Sequence, residues 1–110
     1  MTALKFEKDL KEYRRKNGWL NRRSGEIFEF EVLKYYRGIS DFAIRSAGSH
    51  SIIDIVARRA GKLIYINCKK NGYREQHELR KLGKLRDKLV KNEVIILADK
   101  VCGRITYKKF

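Results

Sequence analysis

The sequence predicts a single α/β domain with a mixed central sheet flanked by helices and a helical extension at its N-terminus. Three observations predict it. Segments with apolar residues at helical spacing alternate with short β-branched and aromatic runs, in the order α, then α-β-β-β-α-β-β. The chain has 110 residues, within the range of about 50 to 250 in which one core is usual. A hydrophobic fraction of 43% suffices for that core and excludes a disordered basic tail as a description of the whole. The extension is assigned to residues 1–22 and the domain proper to residues 23–110.

Each element has its own signal. Residues 4–16 carry Phe6, Leu10 and Tyr13 at helical spacing, and Asn17 and Gly18 tolerate the left-handed conformation that ends a helix. Ser24 is a suitable N-cap for a second helix over 25–37, in which Phe28, Val32, Tyr35 and Tyr36 form the core-facing stripe. Strands are expected at 42–46, 52–58 and 62–68. Gly48 punctuates the first gap, and the short link 59–61 favours a hairpin between the second and third strands. Residues 75–91 read as a helix with Leu79, Leu82, Leu85 or Arg86, and Leu89 near one face and Lys or Arg elsewhere. Residues 93–98 form an apolar strand, 99–103 a turn, and 104–108 a last strand with Ile105 and Tyr107 on one side. No linker, internal repeat or low-complexity tract interrupts this order.

Charge narrows the partner. Lys and Arg number 27 against 13 Asp and Glu, a formal net charge of +14. Between Arg58 and Lys91 the ratio is twelve to three, the acids being Glu75, Glu78 and Asp87. A thermophile's ion-pair network would need both signs in similar number, so this excess calls for an external anion, and nucleic acid is the obvious one. No run of roughly 18 apolar residues is present, and Lys5, Glu7, Lys8 and Asp9 interrupt any leader-like core. A soluble, cytoplasmic protein of cellular or viral origin is expected. Cys68 and Cys102 lack CxxC or His-rich spacing, so neither a disulfide framework nor a zinc site is expected, and Cys68 reads as a small buried filler.

Two polar residues break the third strand. Side chains two apart share a strand face, so Asn67 and Lys69 project together while Ile66 and Cys68 face the other way. Asp54 is likewise a lone carboxylate within the run IIDIVA, where an unpaired buried acid is costly. If the two strands form a hairpin, Asp54 and Lys69 meet at the sheet margin, with Glu29 of the preceding helix able to join them. Spacing leaves two readings open. One is a buried ion pair between Asp54 and Lys69. The other is a magnesium site, because hard cations take carboxylate oxygens and phosphodiester hydrolysis needs a lysine to orient or activate water and offset developing charge.

The motifs RSAGS (45–49), IDIVA (53–57) and INCKK (66–70), with GEIFEFEVLKYY (25–36) before them and the basic helix after, resemble archaeal-type Holliday-junction resolvases. These belong to the PD-(D/E)XK nuclease superfamily. The resemblance covers about residues 23–110 and implies a restriction-endonuclease-like PD-(D/E)XK core. It further implies that Glu29 is the helix carboxylate, Asp54 the central metal ligand and Lys69 the catalytic lysine. Ser49, with Arg45 and Ser46, would belong to a loop near the scissile phosphate. Such enzymes act as homodimers that place two sites on opposite strands of a four-way junction, in DNA recombination and repair. The implied cofactor is magnesium, with manganese as substitute.

The departure is Asn67, which stands where that family has glutamate two residues before the lysine. Three explanations stay open. Asn67 is a neutral oxygen ligand completing a metal set of Glu29, Asp54 and Asn67; or Glu26, three residues before Glu29, supplies the missing charge; or the chain is a non-catalytic junction-binding relative or a deliberately disabled variant. Arg22, Arg23, Arg45, Ser46, Lys70, Arg74, Arg80, Lys81 and Lys84 are the candidates for DNA contact, with Lys69 beside them. Phosphate contacts position a duplex without reading its sequence, so selectivity for shape is expected. His50 reads as a bystander beside Ser49, His77 as a surface residue, and Tyr73 as either a backbone contact or a packing residue. The sequence therefore leads to a metal-dependent, structure-selective endonuclease. A structural RNA-binding protein would account for the size and charge but not for Glu29, Asp54 and Lys69.

Overall fold

The computed structural model describes residues 24–46 and 52–110. The extension at 1–22, Arg23, and the loop holding Gly48, Ser49 and His50 lie outside the described residues. A five-stranded mixed sheet carries one helix on each face. Helix α1 covers residues 24–39, followed by β1 (Phe42–Arg45), β2 (Ile55–Arg59), β3 (Lys62–Lys69), α2 (Gln76–Lys88), β4 (Glu93–Val101) and β5 (Arg104–Lys109). Spatial order equals chain order, β1-β2-β3-β4-β5. Strands β1 to β3 form an antiparallel meander, β4 lies parallel to β3 after the α2 crossover, and β5 returns antiparallel to β4. Among the described residues no helix is long and apolar enough to cross a membrane.

Alternation along β3 divides the core. Ile64, Ile66 and Cys68 face α1 and pack with Phe28, Val32, Leu33, Tyr36, Ile55 and Ala57. On the opposite face Leu82 of α2, wholly buried, packs against Ile53 and Ile95, with Tyr65 and Val56 alongside. Cys68 is thus a core filler, as expected, and burial pushes its thiol well above the ordinary range, so it stays protonated and unreactive.

Several boundaries differ from the sequence reading, each for a physical reason. Ser24, expected as the cap, is already helical. The stripe on α1 runs through Leu33 rather than Tyr35, whose ring lies 46% exposed and stacks on Tyr107 at 4.7 Å between centroids. Strand β2 begins at Ile55, three residues later than expected. There the Asp54 Oδ2 accepts the Cys68 N–H at 2.7 Å, so a side chain takes over where the backbone ladder would continue. Helix α2 stops at Leu89, which is extended, and Asn92 adopts φ 71° to turn the chain into β4. Residues 99–101, expected as turn, continue β4 because Thr106, Ile105 and Arg104 of β5 pair with them. The turn shrinks to Cys102 and Gly103, both at positive φ (52° and 76°), as a two-residue hairpin of primed type requires. Ala60 and Gly61 make the same kind of turn between β2 and β3 (51° and 77°).

At the edge of the sheet Arg37 donates from Nε to the Ala43 carbonyl at 3.2 Å. That contact occupies an outward-facing acceptor of β1 and blunts the edge against pairing with another strand.

Candidate active site

Parallel pairing of β3 and β4 puts their C-terminal ends side by side, and the antiparallel meander brings the end of β1 and the start of β2 to the same margin. Arg45, Asp54, Asn67, Lys69 and Asp99 therefore converge there, with the first turns of α1 and α2 on either side. In open α/β sheets this is the margin where ligands bind.

Asp54 sits at the centre. Burial pushes its carboxyl up to about 6, assisted by the nearby Glu29 carboxylate and opposed by the Cys68 N–H, Lys69 and Arg45. Among the described residues its carboxylate has no ion-pair partner. Glu29, on α1, is held by Arg45, whose Nη2 lies 2.8 Å from Oε2, while the guanidinium stacks over the Phe30 ring at 4.9 Å. Lys69 does not close onto Asp54. Its Nζ lies 2.9 Å from Oε1 of Glu78 in the first turn of α2. The buried Asp54–Lys69 ion pair, one of the two open readings, is absent.

Asn67 leads into a separate network. It is 3% exposed, and its Nδ2 donates to the Ile52 carbonyl at 2.6 Å. Its Oδ1 accepts from Nε of Arg74 at 2.7 Å, and the same guanidinium reaches the Asn67 carbonyl at 3.2 Å and Oδ1 of Asp99 at 2.7 Å. The loop after β3 makes this possible. Gly72, at φ 73°, turns back so closely that an added Cβ would lie 3.2 Å from Val101, and the Tyr73 N–H donates to Asn71 Oδ1 at 3.1 Å. Both contacts aim Arg74 inward under the sheet end.

The expected site residues therefore separate. Glu29, Arg45 and Lys69 all lie near enough to Asp54 for their charges to act on its carboxyl. Asn67 shares the β3 face with Lys69 as expected, but its amide oxygen faces a guanidinium, an arrangement that repels a metal cation, so it braces the Ile52 backbone next to Asp54. Arg74, expected to touch phosphate, is 5% exposed at its side chain and is instead engaged by Asn67 and Asp99. Lys70, Arg80, Lys81 and Lys84 are exposed, as phosphate contacts require, and Ser46 is half-buried with its N–H on the Asp54 carbonyl at 2.8 Å. Glu26 is exposed on α1, while Ser49, Arg22 and Arg23 lie outside the described residues. His77 and Tyr73 are exposed.

Sequence reasoning missed Glu78 and Asp99. Glu78 carried a faint signal as one of three acids in a strongly basic stretch, four residues before the core residue Leu82 and so on the same helical face. Asp99 carried none, because its pairing with Lys69 depends on the register of parallel strands far apart in the chain.

The donors present suit a hard cation. Asp54 and Glu29 offer two neighbouring carboxylates, and magnesium is commonly held by one or two carboxylates with water and substrate phosphate completing its shell. No cluster of three or more His, Cys, Asp or Glu side chains arranged for a metal occurs among the described residues. Compared with known protein families and with characterised proteins, the chain matches none.

Proposed function

We propose that this protein is a structure-selective endonuclease of the PD-(D/E)XK type that binds four-way DNA junctions as a homodimer and cuts them with a divalent cation. The observation that carries the reading is Asp54, a largely buried carboxylate raised to about 6 beside a second carboxylate, with no ion-pair partner among the described residues. A fold keeps so costly a group where a ligand, rather than stability, requires it. The order helix, three antiparallel strands, helix and parallel strand supports the core type that the motifs imply.

In this reading Asp54 and Glu29 hold the cation, and Asn67 supports them through Ile52 instead of lending an oxygen. The cation, when bound, supplies Lewis-acid polarisation of the scissile phosphate and offsets charge as the bond breaks. Lys69, whose amine rests on Glu78 at 2.9 Å beside this place, orients water and balances the developing oxyanion. Arg45 exchanges part of its hold on Glu29 for a DNA phosphate. The exposed Lys70, Arg80, Lys81 and Lys84 anchor the duplex arms through phosphates, which fixes position and shape but reads no bases.

Incubating the full chain with a labelled immobile four-way junction, with and without magnesium, tests the proposal. Paired nicks at symmetric positions that need the metal are expected. Tight junction binding with no cut in magnesium or manganese would instead favour a binding-only protein, a reading that the neutral Asn67 supports. For the DNA face, Lys84→Ala is expected to weaken junction binding equally for arms of different sequence and to lower the salt-dependence slope by about 1. Titrations at several salt concentrations measure this, and an unchanged slope would remove Lys84 from the interface.

A further inference from the structure

We infer that Glu78 is a positioning residue that holds the Lys69 amine off Asp54 and so keeps Asp54 open to a cation. The inference rests on the cation-dependent reading above. Lys69 follows Cys68, whose N–H is bound to the Asp54 carboxylate at 2.7 Å, so the lysine leaves the strand beside that carboxylate. An ammonium emerging at a half-buried margin pairs with the nearest acid it can reach. Here the partner is Glu78 at 2.9 Å, with side-chain exposures of 32% for Lys69 and 20% for Glu78.

The phase of α2 fixes this choice. Leu82 is wholly buried against the sheet, and Glu78 lies four residues earlier on the same face, so the packing that seats the helix also delivers the carboxylate to the end of β3. Arg45, a second cation among the described residues at the margin, is likewise engaged by an acid other than Asp54, namely Glu29 at 2.8 Å. Asn67, two residues before Lys69, has its amide committed to Ile52 and Arg74 and offers the amine no charge. Glu78 thus supplies from a helix the negative partner that the strand lacks. Without it, the amine falls onto Asp54 and competes with the cation.

Manganese binding to the full chain without DNA, measured by calorimetry, tests this. Wild type is expected to bind, Asp54→Asn to lose binding, and Glu78→Ala to bind on the order of tenfold more weakly, the size typical of groups that orient a ligand. Glu78→Ala combined with Lys69→Met is expected to recover wild-type affinity, because no amine remains to compete. Unchanged affinity in Glu78→Ala, or no recovery in the double variant, overturns the role of Glu78. If wild type shows no binding that depends on Asp54, the cation reading fails on its own. The crystal structure of Glu78→Ala then decides: Lys69 Nζ against Asp54 upholds the positioning role, and Nζ elsewhere overturns it.

Discussion

Asp54→Asn is expected to bring junction cleavage down to background while making the protein more stable at neutral pH and leaving junction affinity equal or higher. The loss of cleavage follows because the amide takes away the charge that would hold a divalent cation. The gain in stability follows from linkage. The Asp54 carboxyl titrates at about 6 in the fold against an ordinary 3.8, so the native state binds its proton more tightly than the unfolded chain. Its contribution is fully present below pH 3.8, is lost as pH rises to about 6, and stays lost above. That difference corresponds to about 3 kcal/mol at neutral pH. Asparagine carries no charge at any pH, and its oxygen still accepts the Cys68 N–H. Denaturant unfolding of both proteins at pH 3 and pH 7 should therefore give similar stabilities at the lower pH and a more stable variant at the higher. Affinity holds or improves because an acid facing phosphate has gone. Metal-dependent cutting by the variant would take Asp54 out of the mechanism, and a loss of stability at pH 7 would show that its charge is compensated in the fold.

The second large effect belongs to Arg74. Its guanidinium joins three segments, the end of β3 through Asn67, the loop before α2, and the end of β4 through Asp99, with side-chain exposures of 5% and 13% for Arg74 and Asp99. Arg74→Met fills much of the same space but leaves a buried carboxylate without a partner, a change that costs about 3 to 5 kcal/mol. Small domains commonly hold only about 5 to 15 kcal/mol in total, so a large share of stability goes. Pairing Arg74→Met with Asp99→Leu removes both charges together and is expected to restore most of the loss, since an apolar pair packs there without desolvating an ion. Chemical denaturation of the two variants checks both steps. A loss below about 1 kcal/mol for Arg74→Met would match a surface ion pair and contradict the buried network.

The two predictions separate residues that the sequence treats alike. Asp54 and Arg74 are both charged groups at the margin of apolar strands. One sits where its charge weakens the fold, and the other where an opposite charge lies 2.7 Å away. In the proposed function only the first pattern takes a ligand.

Periodicity and turn chemistry gave the sequence of elements after residue 24 correctly, with errors of a few residues at their ends. Alternation along β3 placed Ile66 and Cys68 in the core and sent Asn67 and Lys69 the other way, because side-chain direction in a strand is a local property with a period of two. The excess of basic residues along α2 and the isolation of Asp54 among apolar neighbours were likewise legible, since composition and local order fix them. The partner of each polar group was not. Lys69 meets Glu78 and not Asp54 because the burial of Leu82 sets the phase of α2. Arg74 turns inward because Gly72 lets its loop press against Val101 and Asp99, and Asn67 is occupied because that guanidinium arrives. Those pairings join segments distant in the chain, and the packing of helices on the sheet and the parallel register of β3 with β4 decide them. A linear pattern of residue types encodes which groups are chemically able to meet, and tertiary packing selects the ones that do.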